Sequence, residues 1–145
     1  MIYKSKCLEA INKDARDIEL KDIENFDVVI LLAGISNDPF GNRNPNLIYN
    51  PTREYAIRIA KMCKELGIKF IFPSSCSVYG AAGTDTLDET GTTNPQTGYS
   101  RNKIEIEDDL KQISKREFQT ISLLLAKLSG TVSYHHLQLT PNPDD

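Results

Sequence analysis

The chain of 145 residues has no apolar run of the length that a membrane span needs, and it has no excess of basic residues. A transmembrane helix requires about 20 consecutive apolar residues. Seventeen lysines and arginines against 20 acidic residues give a net charge of −3, whereas a nucleic-acid binder uses a basic surface to neutralise phosphates. We therefore expect neither a membrane nor a nucleic acid among the partners.

Cysteine is scarce, and the N-terminus lacks the apolar core and cleavage site of a secretory signal peptide. Cys7, Cys63 and Cys76 show neither CxxC nor metal-like spacing, so we expect reduced, buried thiols in a cytoplasmic protein. His135 and His136 are adjacent and would point to opposite faces of a strand, so we interpret them as tail residues. No metal site is predicted.

The remaining pattern alternates strands with helices. Continuous apolar, β-branched runs such as residues 26–34 are typical of parallel strands that are covered on both faces. Alternation of this kind predicts βαβ units and a parallel α/β sheet. The predicted order is a short strand, a turn and a small helix within 7–25, strand 26–34, helix 47–67, strand 68–75, helix 99–114 and strand 118–130.

Both long helices carry recognisable local signals. Gly67 is expected to cap the C-terminus of the first helix, and Pro51 is expected near its start, where a missing N–H costs little. In the second helix, Ile104, Leu110 and Ile113 are expected to face the core. The neighbouring run EIEDDLK is interpreted as a solvated face.

A cluster of hydroxyl groups ends the middle strand, in the sequence KFIFPSSCSVYG. Ser74, Ser75, Ser77 and Tyr79 follow an apolar strand directly. Ligands of parallel sheets bind beyond the carboxyl ends of the strands, and LLAG at 31–34 ends a strand at the same edge. The bland alternative is a strand-end turn that the serine hydroxyls cap.

Tyr99 and Lys103 form Y-x-x-x-K at the start of the following helix. Residues i and i+4 share a helix face, so the ammonium is expected near the phenol, where a positive charge favours the phenolate. Tyr99 would then act as a general base that Lys103 tunes, while Ser75 binds a substrate oxygen. A solvated pair with no chemical role is the alternative.

Three ordered motifs, DVVILLAGISNDP, FIFPSSCSVYG and NPQTGYSRNKIEIEDDL, resemble the NAD-dependent epimerase/dehydratase family. Its members are extended short-chain dehydrogenases/reductases that mostly modify nucleotide sugars. The resemblance implies a Rossmann-like parallel sheet with flanking helices. It also implies a catalytic triad of Ser75, Tyr99 and Lys103, in which the lysine holds the nicotinamide ribose as well.

The same resemblance implies cofactor-binding residues earlier in the chain. DARD is similar to the family motif that meets the adenine, which gives Asp14 and Ala15. LLAG is similar to the segment along the ribose and pyrophosphate, which gives Leu32, Ala33 and Gly34. The implied cofactor is NAD, with NADP left open, and the implied substrate is a nucleotide sugar.

The chain departs from the family pattern at several points. It has no G-x-x-G-x-x-G, the motif that holds the pyrophosphate at a helix N-terminus. Thr52 stands where the family usually has asparagine, and Cys76 and Ser77 stand where its dehydratases carry an Asp-Glu pair. We therefore expect a partial NAD(P)-binding Rossmann-like domain at 1–130, without the first β-α-β unit or the C-terminal substrate region, and a divergent tail at 131–145.

These observations predict a nucleotide-sugar epimerase or reductase, rather than a dehydratase, that is a fragment with little activity alone. Two alternatives remain: a small-carbonyl reductase, and a non-catalytic interaction module. The family commonly dimerises through two helices, here near 50–66 and 99–115, so a homodimer or pairing with a full-length relative is also expected.

Overall fold

The computed structural model describes residues 12–35, 44–80 and 90–125. Two 3-10 turns, at Ala15–Asp17 and Cys76–Tyr79, accompany the helices and strands. The regular elements are α1 (Leu20–Ile23), β1 (Val28–Ile30), α2 (Pro45–Leu66), β2 (Lys69–Ser75), α3 (Gly98–Ile113) and β3 (Thr120–Leu125).

The three strands form one parallel sheet in the order β1-β2-β3. Val29 is the register partner of Phe70, and Phe70 in turn is the partner of Thr120. Helix α2 connects β1 to β2, and α3 connects β2 to β3. The predicted Rossmann-like α/β architecture is confirmed, and the small helix expected before β1 is α1. The rest of the predicted third strand, beyond residue 125, and the predicted tail lie outside the described residues.

One face of the sheet carries the core. Phe70 and Phe72 of β2 are fully buried together with Ile59 of α2 and with Ile106 and Leu110 of α3. Burying apolar side chains in this way contributes about 1.5–3 kcal/mol each. Both long helices therefore pack on the face of β2 that these phenylalanines share.

The opposite face is apolar but open in the described part of the chain. Val28, Ile30 and Leu32 are 40%, 54% and 78% exposed. The sequence predicts that the run 26–34, which contains β1, is covered on both faces. That expectation is wrong for the described residues, because α2 and α3 pack against the same face of the sheet. The apolar run therefore predicts a β-strand, but it does not predict which elements pack against the two faces of that strand.

Helix α2 begins at Pro45, and the Asn44 side chain accepts a hydrogen bond from the Leu47 N–H at 3.3 Å. The expectation that Pro51 lies near the helix start is wrong, since Pro51 lies inside the helix. The carbonyl that loses its usual donor belongs to Leu47, which is 73% exposed, so solvent can satisfy it. Gly67 ends the helix with φ 69°, as predicted.

Helix α3 begins with a capping box in which Thr97 and Ser100 exchange side-chain-to-backbone hydrogen bonds, each of 3.1 Å. Leu110 is buried and Ile113 packs against the core, as expected. The expectation for Ile104 is wrong, because Ile106 occupies the core instead. Two residues correspond to about 200° around a helix, so the two isoleucines point to nearly opposite sides.

The cysteines differ in environment. Cys63 is free and buried, whereas Cys76 is free and exposed, so the expectation of a buried thiol is wrong there. Cys7 lies outside the described residues. Within the described ranges, no helix is long and apolar enough to span a membrane.

Candidate active site

Ser75 is the last residue of β2 and the N-cap of the following 3-10 turn. Its Oγ accepts hydrogen bonds from the Ser77 N–H at 3.3 Å and from the Ser77 hydroxyl at 3.0 Å. The capping interpretation is therefore confirmed. Both bonds use the Ser75 oxygen as acceptor, so neither uses its hydroxyl proton, and the same side chain also hydrogen-bonds Tyr99.

Tyr99 lies in the first turn of α3 and is half-buried. Its ring meets Tyr49 edge to face, with the two centroids 6.4 Å apart. Gly98 brings the starts of α2 and α3 together, since a Cβ there would lie 2.9 Å from the Pro45 Cβ and 3.0 Å from the Tyr49 ring. Close contact between the two helix starts thus positions Tyr99.

Lys103 lies one turn after Tyr99 and is also half-buried. Its Nζ donates a hydrogen bond to the Pro73 carbonyl at 2.8 Å and lies 4.3 Å from the centroid of the Phe72 ring. The distance from Nζ to the Tyr99 ring centroid is 5.6 Å. Burial lowers the pKa of Lys103 to about 8, while the carboxylate of Glu107 acts to raise it.

The protonation of Tyr99 differs from the expectation. Burial raises the pKa of Tyr99, and the nearby Ser75 hydroxyl offsets only part of that effect. Lys103 does not favour the phenolate here, because its ammonium is directed to the Pro73 carbonyl rather than to the phenol oxygen. The expectation that Lys103 lowers the pKa of Tyr99 is therefore wrong for this state of the molecule.

A cavity of about 290 Å³ lies at the carboxyl ends of the strands. The predicted Ser75, Tyr99 and Lys103 line it together with Leu32 and Gly34 of the β1 side. Its other lining residues are Leu31, Ile35, Pro73, Ser74 and Leu125. Five of the predicted site residues thus meet at one cavity, at the edge of the sheet where parallel α/β folds bind ligands.

Ala33 is fixed from outside the cavity. The Tyr55 hydroxyl donates to the Ala33 carbonyl at 3.0 Å and approaches the Thr52 hydroxyl at 3.4 Å. A Cβ added to Gly34 would lie 3.3 Å from the Thr52 methyl group, so this segment packs closely on α2. Thr52, which stands where the family usually has asparagine, therefore packs beside Ala33 and Gly34, the segment that is expected to lie along the cofactor.

Asp14 and Ala15 do not line this cavity. The Asp14 carboxylate caps the first 3-10 turn and binds the Arg16 guanidinium through both oxygens, at 3.0 and 2.8 Å, which holds the pKa of Asp14 below its usual range. Arg58 of α2 donates to the backbone carbonyls of this turn, including that of Ala15 at 3.2 Å. The turn is thus braced against α2, but its carboxylate already has a partner.

Two interacting residues were missed from the sequence. Tyr55 gave no signal beyond its place on a helix. Glu107 lies four residues after Lys103, which extends Y-x-x-x-K to Y-x-x-x-K-x-x-x-E, and this spacing was the available signal. The interpretation of EIEDDLK as a solvated face is wrong for Glu107, which is half-buried and accepts a hydrogen bond from the Ser74 hydroxyl, and for Asp109, which binds Arg53 at 2.6 Å.

Potential metal ligands do not cluster among the described residues, where no group of three or more histidine, cysteine or acidic side chains is suited to hold an ion. His135 and His136 lie outside those residues.

A sequence profile of the NAD dependent epimerase/dehydratase family matches residues 8–140. The chain belongs to this family. The bifunctional polymyxin resistance protein ArnA of Wigglesworthia glossinidia brevipalpis is 29% identical over 96 residues, which are 66% of this chain and 14% of ArnA.

Solved structures of related fold agree with this assignment. UDP-N-acetylglucosamine 4-epimerase from Methanobrevibacter ruminantium M1, solved with UDP-N-acetylmuramic acid, is 29% identical with a TM-score of 0.70, over 79% of this chain and 38% of that one. The NAD dependent NDP-hexosamine 5,6-dehydratase TunA shares the fold, with a TM-score of 0.73 at 21% identity, over 86% and 42% of the two chains. This family member therefore spans less than half the length of the relatives it matches.

Proposed function

We propose that this chain carries the catalytic centre for NAD-dependent modification of a nucleotide sugar, by transient hydride transfer at a sugar carbon. The single observation that carries the proposal is the convergence of Ser75, Tyr99 and Lys103 on one cavity at the carboxyl edge of the sheet. The match to the family profile supports the proposal from the sequence. The Methanobrevibacter ruminantium protein, which is 29% identical to this chain, is a 4-epimerase of UDP-N-acetylglucosamine. NAD is the proposed cofactor, with NADP left open.

The residues around the cavity suit the nicotinamide end of such a cofactor. Leu31 and Leu32 offer an apolar wall, while Lys103 and Ser75 offer donors for ribose and sugar hydroxyls. At about 290 Å³ the cavity is at the small end of ligand sites, so it suits a ring and its ribose rather than a whole dinucleotide. When bound, the nicotinamide supplies the hydride acceptor and donor.

The pyrophosphate end fits less well. The chain contains no G-x-x-G-x-x-G, and Asp14, the residue proposed for the adenine, already binds Arg16. We therefore propose that these 145 residues bind NAD weakly and turn over little substrate without further contacts to the pyrophosphate.

Each residue of the proposed triad has a separate task. The Ser75 hydroxyl proton, unused in the cap, hydrogen-bonds the sugar oxygen beside the reacting carbon. Tyr99 removes the proton from the sugar hydroxyl at the reacting carbon and later returns it. Because burial raises the pKa of Tyr99, the base form needs a positive charge brought closer, and a rotation of the Lys103 side chain from the Pro73 carbonyl toward the phenol would provide it.

Epimerisation or reduction is favoured over dehydration. Water elimination from a sugar needs an acid and a base beside the reacting carbons. Cys76 and Ser77 follow Ser75 in place of the Asp-Glu pair that the family's dehydratases carry. Neither of them supplies a carboxyl group for that chemistry.

The proposal is tested by an NMR titration of the ¹⁵N-labelled chain with NAD up to millimolar concentration. We expect amide shifts confined to residues around the cavity, and weaker shifts in the Tyr99→Phe and Lys103→Met variants. Lys69→Met, at the exposed start of β2 and away from the cavity, serves as the control and should titrate as the native chain does. Absent shifts, or shifts centred elsewhere, would overturn the proposal, and micromolar binding with turnover of a sugar nucleotide would overturn the predicted weak activity.

We also propose a homodimer, or pairing with a full-length relative, through the outer surfaces of α2 and α3. These helices pack side by side, and Arg53 of α2 binds Glu105 at 2.9 Å and Asp109 at 2.6 Å of α3, which holds the two as one unit. Sedimentation velocity tests the homodimer directly. A chain that stays monomeric over a roughly 100-fold range of protein concentration would contradict the proposal. Among the described residues, no contact favours a purely non-catalytic module or a small-carbonyl reductase.

A further inference from the structure

Glu107 is a carboxylate beside the cavity with no task in the function proposed above. It lies on α3 one turn after Lys103, is half-buried, and accepts a hydrogen bond from the Ser74 hydroxyl. Ser74 is itself only 3% exposed and belongs to the strand end that also carries Ser75. A buried acidic side chain is costly unless it is paired, so its presence here needs a reason.

The surroundings of Lys103 supply that reason. Its ammonium sits between the Pro73 carbonyl and the Phe72 ring, and burial alone would favour the neutral amine. Glu107 is the charged group among the described residues that raises the pKa of Lys103. With a pKa of about 8, about a tenth of Lys103 is neutral at pH 7, and a decrease of the pKa to about 7 would raise that fraction to about a half.

We propose that Glu107, anchored by Ser74, is a positioning residue that keeps the Lys103 side chain protonated at the cavity wall. Residues i and i+4 are neighbours on one face of a helix, so the two charged side chains lie on the same face of α3, one turn apart. The Ser74 hydroxyl fixes the carboxylate from the strand side, and therefore ties the charge on α3 to the end of β2. The value of that cation for chemistry rests on the proposed function, but the effect of Glu107 on Lys103 does not.

Among the described residues, few other groups affect the pKa values of Lys103 and Glu107. Burial raises the pKa of Glu107, and Asp108 raises it further, whereas Ser74, Lys111 and Lys103 lower it. Helix α2 contributes Tyr49 near Tyr99, and the 3-10 turn contributes Cys76. In the described part of the chain, Glu107 is the one carboxylate that acts on the pKa of Lys103, so a change at Glu107 is expected to alter that pKa directly.

The test is a pH titration of the chain labelled with ¹³C-lysine, in which NMR monitors the Lys103 resonance. That resonance is assigned by its absence from the spectrum of the Lys103→Met variant. Glu107→Gln is expected to lower the pKa of Lys103 by about 0.5 to 2, the range for unit charges about 6 Å apart at effective dielectric constants of about 80 to 20. The matched control is Glu105→Gln, which removes the same charge from an exposed site on the same helix. It should change the pKa by less than about 0.3.

A pKa that stays unchanged in Glu107→Gln, or that falls equally in Glu105→Gln, would overturn the inference. Ser74→Ala should produce a smaller decrease, because the carboxylate keeps its charge and loses its anchor. If Glu107→Gln does not fold, the reciprocal measurement decides, since Lys103→Met must raise the pKa of Glu107 and no rise would refute the coupling. A responsive lysine in a chain that shows no NAD-dependent shifts would leave this inference standing and remove the proposed function alone.

Discussion

Replacing Lys103 by methionine should stabilise the folded chain while weakening its proposed site. Burial lowers the pKa of Lys103 from 10.5 to about 8, so the charged form is destabilised by folding. That difference corresponds to about 3 kcal/mol at pH 7, since each pKa unit is worth about 1.4 kcal/mol. Methionine keeps the length and the contact with the Phe72 ring but carries no charge to desolvate.

One contribution reduces this gain, because the Pro73 carbonyl loses its donor, which costs about 1 kcal/mol. The attraction between Lys103 and Glu107 is already contained in the pKa of about 8 and is not subtracted again. The remaining increase in the free energy of unfolding is about 2 kcal/mol at pH 7. This size is readily measured by urea unfolding followed by far-UV circular dichroism.

The pH dependence identifies the cause. Between pH 8 and 10.5 the unfolded lysine holds a proton that the folded lysine has lost, so the stability of the native sequence rises with pH in that window. The methionine variant lacks this contribution. Its advantage should therefore be greatest below pH 8 and should shrink by about 2 kcal/mol when both proteins are compared at pH 10.

The control is Lys69→Met, at the exposed start of β2, which should change stability by no more than about 0.5 kcal/mol at either pH. If Lys103→Met is less stable than the native chain at pH 7, or if its advantage persists unchanged at pH 10, the reasoning from the buried charge is refuted. The same variant should show weaker NAD-dependent NMR shifts, which is the usual trade between stability and a strained site.

Two further substitutions test how α2 holds the site. Gly98→Ala should lower the free energy of unfolding by about 1–3 kcal/mol, because its Cβ would lie 2.9 Å from Pro45 and 3.0 Å from the Tyr49 ring; an unchanged urea midpoint would contradict this packing. Tyr55→Phe removes the 3.0 Å hydrogen bond to the Ala33 carbonyl and should cost about 1 kcal/mol, with amide shifts at that segment in the NMR spectrum. Unperturbed amides there would show that the bond does not hold the segment.

Local signals predicted the framework well because each depends on neighbours in sequence. The αL conformation of Gly67 follows from the freedom of glycine at a helix end, and the meeting of Tyr99 and Lys103 follows from helix periodicity. The parallel pairing of the strands also follows from the alternation of strands and helices, since connections of this kind predict βαβ units. These features needed no knowledge of what packs against them.

What failed depended on tertiary packing. The rotation of α3 about its axis decides that Ile106 rather than Ile104 enters the core, and a spread of apolar residues around the helix does not fix that rotation. The same rotation turns Glu107 toward the sheet, so a charge run that looked uniformly solvated includes a half-buried carboxylate. The direction of the Lys103 ammonium likewise depends on the Pro73 carbonyl, which belongs to another element.

Strand alternation explains why two serines stand side by side at the end of β2. Successive residues of a strand point to opposite sides, so Ser74 turns toward α3 and bonds Glu107, while Ser75 caps the next turn at the cavity. One hydroxyl therefore binds the carboxylate of Glu107, and the other lies beside the Tyr99 phenol. Exchanging their tasks would require a shift of one residue in the register of β2, which would also expose Phe70 and Phe72. The packing of the core thus fixes which of the two serines can serve the proposed chemistry.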